Sequence, residues 1–376
     1  MSLAGIYIHI PFCKSKCSYC DFYSSGNTKL LNRIINALCI EISSRKSYLP
    51  SENIETIYFG GGTPSLMSLY HLQQLFTTIE STFDLSYLKE VTIEANPDDL
   101  SDEYLQMLAN LPFNRLSIGI QSFNNSELTL LKRRHTAKEA NNAVIRAKKY
   151  FSNISIDLMF GLPLQTIESW DQSIQQSLAL NVQHISAYQL TLEKGTSLYK
   201  EWVNNVVHPA SDELSTEMYF YLVDNLKKAG FEQYEISNFA IPAYESKHNS
   251  SYWKGIPYLG IGPSAHSFNG TSRQWNISNN LRYLAGIENN KPEIEIEQLT
   301  EKDHYNEKII TALRTKQGIS LVDFEKCFGK FLTQRLLQNA DKYISGNLLR
   351  LTDESLYMTT SGFWLSDGIM ADLMLD

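Results

Sequence analysis

The chain has 376 residues, 43% hydrophobic and 20% charged, with a net charge of −8. That length exceeds the usual size of one hydrophobic core and predicts one large domain with a smaller one. The acidic balance argues against a general nucleic-acid binder, no apolar run reaches the roughly 18 residues that span a bilayer, and no positive stretch precedes the first apolar segment as in a secretory signal.

The first two thirds alternate short β-branched runs with longer helical patterns. "GIYIHI" (5–10) reads as a strand before a helix over 29–48. "TIYFG" (56–60) precedes a helix from Leu66, and "EVTIEA" (90–95) one from Asp102. "RLSIGIQ" (115–121) leads to two helical pieces over 126–149, and "SIDLMFG" (155–161) to a helix from Thr166. "HISAYQL" (184–190) leads to a helix from Ser211 to Lys228, ended by Gly230. Six β–α units in sequence predict a parallel sheet with helices outside. Periodicity alone does not choose between an open doubly wound sheet and a full or partial barrel; in either, ligands gather where strands end. The unusual groups fall there: Cys13 after the first strand, Gly60-Gly61-Gly62-Thr63 after the second, Glu94 and Gln121 at the third and fourth, Asp157 in the fifth, Thr191 and Glu193 after the sixth.

After Gly230, "FEQYEISNFA" (231–240) reads as a further strand, "KHNSSYWKG" as a polar segment and "YLGIGPSAHSF" as a Gly/Pro turn. From Lys302 the chain is helical and closes with a hairpin and a last helix, an order like a small winged-helix module. The predicted divisions are 1–230, a barrel; 231–300, a barrel-completing strand and linking segment; and 301–376, the winged-helix-like domain.

Five cysteines, an odd number without paired spacing, fit a reducing cytosol better than a disulfide framework. Cys39 and Cys327 each read as buried small hydrophobes. Cys13, Cys17 and Cys20 form one Cys-x3-Cys-x2-Cys loop. A structural zinc site wants a second ligand pair, which is missing. Three thiolates in one loop suit a [4Fe-4S] cluster with one iron left open.

That loop after a first β-strand resembles the radical S-adenosylmethionine (SAM) enzymes. Over nearly its full length the chain resembles their oxygen-independent coproporphyrinogen III oxidase family, through "YIHIPFCKSKCSYCDF", "YFGGGTPS", "IEANP", "RLSIGIQSF", "LKRRH", "DLMFGLP" and "YLGIGPSAHSF". The resemblance implies an α/β fold: a partial (β/α)6 TIM-like radical SAM barrel with a C-terminal α+β, winged-helix-like module. It implies that SAM chelates the open iron and is cleaved by one-electron reduction, with a reductant protein such as flavodoxin or ferredoxin.

By the same resemblance Gly61, Gly62 and Thr63 contact SAM; on their own the glycines read as either a close approach to a ligand or a tight turn. Glu94 reads as a partner for a ribose or amine, or as a charge paired with arginine. Gln121, Arg133 and Asp157 match SAM-contacting positions, although Arg133 in "KRRH" also reads as a solvated helix residue. An inward Asp157 needs a partner, which Arg133 or SAM would supply. Thr191 falls on the same face. Tyr7 matches a tyrosine packed near SAM, or is a core tyrosine, and Tyr19 matches an aromatic that meets the adenine. His266 sits where the family lines the SAM or substrate pocket.

The family divides. The oxidases proper carry a fourth cysteine two residues after the third and a long segment before the cluster. Here Phe22 occupies that position, and twelve residues precede Cys13. The pattern is similar to the heme chaperone branch, which binds heme and passes it to acceptor proteins, membrane-associated ones among them. "HNSSYW" (248–253) matches that branch's His-Asn-x-x-Tyr-Trp and makes His248 the candidate heme ligand. The expectation is a cytoplasmic [4Fe-4S]- and SAM-binding heme chaperone. The alternative is a radical decarboxylase of coproporphyrinogen III, and a zinc-stabilised binding module the third reading.

Overall fold

The computed structural model describes residues 3–376; Met1 and Ser2 lie outside it. Six strands carry the first half: β1 (Ala4–Ile10), β2 (Ile54–Gly61), β3 (Glu90–Ala95), β4 (Arg115–Gln121), β5 (Ile154–Phe160) and β6 (His184–Gln189). They pair in chain order, all parallel. Each is followed by helix, and serine or threonine caps start several: Ser101, Thr136, Thr166 and Ser211 each accept a backbone N–H of the first turn.

Strands buried on both faces usually read as continuous apolar runs. These alternate instead. Ile6, Ile8 and Ile10, Ile57 and Phe59, Leu116, Ile118 and Ile120 belong to the fully buried core. With a period of two, the intervening residues face the other way: Tyr7 and His9, Thr56 and Tyr58, Thr92 and Glu94, Arg115 and Ser117, Ser155 and Asp157, His184 and Ser186. One face packs on helices; the other lines a polar lumen. There the Tyr58 hydroxyl donates to Glu94 at 2.7 Å, and Ser155 meets His184 Nδ1 at 2.7 Å.

Residues 231–240, expected as one strand, form a hairpin of β7 (Glu232–Glu235) and β8 (Asn238–Ala240), with β8 antiparallel to β6. The turn at Ile236-Ser237 is held by Glu235, whose carboxylate accepts the Ser237 N–H at 2.9 Å. On the other edge β9 (Tyr258–Ile261) runs parallel to β1, then β10 (His266–Phe268), β11 (Ser272–Asn276) and β12 (Ile294–Gln298) continue antiparallel. The sheet has twelve strands and keeps two edges, β12 and β7, so the barrel is partial. The segment that reads as polar is a helix, Lys247–Trp253, and Ser197–Val203 forms a further helix outside the six-unit pattern.

The C-terminal part has a helix at Glu301–Leu313, the short β13 (Ile319–Ser320) and a helical stretch Leu321–Ser345 broken at Gly329 (φ 79°). The hairpin β14 (Leu349–Leu351) and β15 (Ser355–Met358) and two short helices follow. The order β13-β15-β14 beside the helices is the winged-helix-like arrangement expected. Among the described residues no helix is long and apolar enough to cross a membrane.

Candidate functional site: a thiol-lined cavity at the barrel mouth

The strand ends converge on a cavity of about 490 Å³, within the size range of small-molecule sites. Cys13, Cys17 and Cys20 line it, with Tyr19, Gly61, Gly62, Thr63, Glu94, Gln121, Arg133, Asp157 and Thr191. Residues from Cys13 to Thr191 are thus brought together, as the sequence predicts.

The cysteine loop is held by protein on every side. The Ser18 N–H and hydroxyl donate to the Leu131 and Leu130 carbonyls at 3.1 and 2.9 Å, and Ser18 O accepts from Leu198 N at 2.9 Å. Lys14 pairs with Asp99 at 2.7 Å, beyond the end of β3. Two sulfurs accept hydrogen bonds: Cys17 from Arg133 at 3.3 Å, and Cys13 from the Thr63 hydroxyl at 3.4 Å. Asn96 joins these donors, accepting from Arg133 at 2.6 Å and donating to Thr63 at 3.2 Å. An arc Cys17–Arg133–Asn96–Thr63–Cys13 results. Asn96 belongs to the "IEANP" stretch, and its partners lie 33 and 37 positions away, so no local pattern marks it.

The donor set fits an iron–sulfur cluster. Burial pushes the Cys20 thiol up to about 11, and the neighbouring Cys17 and Cys13 push the same way, so its thiolate forms readily only where a cation shares the charge. They face one cavity, yet among the described residues no three His, Cys, Asp or Glu side chains are placed to hold a single metal ion. Cys13, Cys17 and Cys20 would hold three irons, and the donors from Arg133 and Thr63 would tune the reduction potential.

Gly61 and Gly62 explain the glycine run. Gly61 has φ 101°, and a Cβ there would lie 2.5 Å from the His9 ring. A Cβ on Gly62 would lie 2.5 Å from the Phe12 carbonyl and 2.7 Å from that of Ile10. The backbone of the β2 end therefore touches the backbone leading into the cysteine loop. Gln121 is buried with φ 73°, beside a register shift between Gly119 and Gln121 that turns its side chain to the cavity.

Two carboxyls sit between lumen and cavity. Burial pushes Glu94 up to about 7, against the Tyr58 hydrogen bond. Burial also raises Asp157, opposed by the Ser186 hydroxyl and by Arg115 and Arg133. Folded Glu94 therefore keeps a proton that the unfolded chain releases above 4.5. In the absence of ligands, stability should fall as pH rises from 4.5 towards 7, by up to about 3 kcal/mol. Denaturation midpoints measured across that window should show this slope, and Glu94→Gln should flatten it; an unchanged slope in the variant would reject the assignment.

Three expected residues are elsewhere. Tyr7 lies in the lumen wall, bonded to His9 at 3.1 Å and stacked on Tyr58. His266 does not line the cavity: β10 turns back from β9 and carries the ring to the surface, stacked on Trp275 at 5.7 Å. His248, the candidate heme ligand, lies away from the thiol-lined cavity. It is 1% exposed, with Nδ1 against the Thr56 hydroxyl and Nε2 against the Tyr252 hydroxyl, both at 2.8 Å. Its helix begins by donating the Lys247 and His248 N–H groups to Glu90, each at 2.9 Å, and closes the lower end of the lumen. Burial holds the imidazole near 3, so it is neutral, and each nitrogen is engaged by a hydroxyl of the protein. Both isolated cysteines, expected to be buried, are less so: Cys39 is part-buried against the core and Cys327 is exposed.

Comparison with known proteins agrees with this geometry. The Radical SAM superfamily model matches residues 7–176, and that of the HemN C-terminal domain residues 299–365. The chain is 36% identical to "Heme chaperone HemW" of Lactococcus lactis over 98% of this chain and 97% of that one. It is 34% identical to the protein of that name from Bacillus subtilis, over 98% of each. The coproporphyrinogen III oxidase (HemN) structure from Escherichia coli superposes with a TM-score of 0.84 at 20% identity, covering 99% of this chain and 90% of that one, which establishes the shared fold. A radical SAM fold, a three-cysteine loop over a cavity at the barrel mouth and near-complete coverage by such relatives place the chain in the radical SAM superfamily, within the HemW heme chaperone family.

Proposed function

We propose that the protein is a heme chaperone that binds heme and hands it to acceptor proteins, and that it carries a [4Fe-4S] cluster with SAM at the barrel mouth. The observation that carries this reading is the full-length similarity to proteins named heme chaperones. Phe22 supports it: it lines the cavity where the oxidases have a fourth cysteine, and at 65% exposure it offers an aromatic face to a planar ligand.

A cluster with one open iron supplies, when bound, a chelation point for SAM and an electron. This chain's own residues do the rest. Gly61, Gly62 and Thr63 let SAM approach the backbone beside Cys13. Glu94 and Asp157 accept from its polar groups, Tyr19 packs on the adenine, and Arg133 compensates the charge of the Cys17 thiolate while pinning the loop to the β4 end. We assign 1–230 to the barrel, 231–300 to its closing and linking segment and 301–376 to the C-terminal domain. The reading places the protein in the cytoplasm, reduced by a flavodoxin- or ferredoxin-like protein, with a membrane-associated respiratory enzyme among its acceptors.

Titration of heme into anaerobically reconstituted protein should give a saturable Soret shift at about one heme per chain. The same sample, given SAM, reductant and coproporphyrinogen III, should yield no protoporphyrinogen. Product formation without a Soret shift would replace the chaperone by the decarboxylase.

A further inference from the structure

The cysteine loop, the Gly61-Gly62-Thr63 segment and the Arg133 segment meet a second time, behind the cavity, on one carboxylate. Asp99 ends the short turn Pro97–Asp99 that follows β3, and its side chain is 2% exposed. It accepts from Lys14 Nζ at 2.7 Å, from the Ser65 hydroxyl at 3.0 Å and from the Arg134 guanidinium at 3.3 Å. Arg134 also pairs with Asp98 at 2.9 Å. Ser65 in turn accepts from the Asn96 N–H at 3.4 Å, which joins this hub to the arc of Arg133, Asn96 and Thr63.

The three partners of Asp99 each stand next to a group at the sulfurs. Lys14 follows Cys13. Ser65 lies two residues after Thr63, which donates to the Cys13 sulfur, and Arg134 follows Arg133, which donates to the Cys17 sulfur. Asp99 itself does not line the cavity, so its contacts reach the thiols only through these neighbours. The carboxylate also sets the local charge. Lys14 and Arg134 are two cations held beside the loop, and Asp99 is the buried counter-charge that both share. Removing one member of a buried ion pair leaves its partners uncompensated.

We propose that Asp99 is a positioning residue for the cluster: it fixes the three segments around the thiols from behind and, by compensating Lys14 and Arg134, keeps the cluster's reduction potential low. This rests on the reading of Cys13, Cys17 and Cys20 as a [4Fe-4S] site. An uncompensated cation nearby favours the more negative, reduced cluster and so raises its potential. A loosened support shortens the cluster's life, since residues behind a metal's ligands typically change its retention about 10- to 100-fold.

The test uses the full chain with its cluster reconstituted anaerobically, as wild type, Asp99→Ala, Asp99→Asn and Asp102→Asn. Asparagine at 99 keeps the shape and an acceptor oxygen but not the charge. Asp102 is the control, a surface carboxylate paired with Lys149 at 3.3 Å. Two quantities are read: the rate at which an iron chelator strips the cluster, and the midpoint potential from a redox titration of the reduced cluster's paramagnetic signal. Stripping should be at least about tenfold faster in Asp99→Ala. The potential should be higher in Asp99→Asn than in wild type, and Asp102→Asn should change neither. If Asp99→Ala does not fold, Asp99→Asn decides, with faster stripping and a raised potential both expected. Wild type that takes up no cluster overturns the cluster reading, and this role with it. Asp99 variants that hold iron as long as wild type, or lose it faster at an unchanged potential, overturn the role of Asp99 alone.

Discussion

Replacing any one of Cys13, Cys17 or Cys20 with alanine is expected to abolish the cluster, taking reconstituted iron from about four per chain to less than one. Two thiolates cannot hold a loop-bound cube against solvent, and no other cysteine lines the cavity. The fold should survive, because the core extends through the whole chain and the loop's anchors are Ser18, Lys14 and Leu198 rather than the thiols. Thermal midpoints of the variants without cluster should match wild type without cluster within a few degrees. Iron and sulfide analysis beside a melt separates the outcomes. A single-alanine variant that retained stoichiometric iron and sulfide would refute the three-cysteine assignment.

Gly62→Ala is expected to be the most damaging single-methyl change near the site. The atoms in its way are backbone, Phe12 O and Ile10 O, and Gly62 N also donates to Ile10 O at 2.9 Å. Neither side can rotate out of the clash, so β1 and β2 must separate just before Cys13. A cost of about 2–4 kcal/mol follows, with loss of cluster retention because the loop is displaced. Gly26→Ala meets nothing within 4 Å and serves as the control. Urea midpoints for both variants test this; a Gly62→Ala protein with wild-type midpoint and full iron content would rule it out.

Much of the barrel was legible because its strands alternate. A run such as Ile6-Tyr7-Ile8-His9-Ile10 announces an apolar outer face and a polar inner one, and the inner residues then collect at the strand ends. The cysteine spacing was legible for a different reason: a cluster loop is local, so its ligands lie within eight residues. The lower end of the lumen was not legible. "KHNSSYWKG" is polar and short, and its helix forms because Glu90, 157 positions earlier, receives the Lys247 N–H at its start. Propensity sees only the loop; the helix depends on tertiary contact. The same distance hid the fate of His248, whose partner Thr56 is 192 residues away.

The arc from Cys17 through Arg133, Asn96 and Thr63 to Cys13 has a consequence for how the protein lives with oxygen. Its bonds join protein to protein, so the shape of the loop is set by the chain itself. In a zinc finger the metal is the keystone, and removing it collapses the arch. Here the loop's shape does not wait on a metal, so a cluster lost to oxidation should be replaceable without refolding the chain.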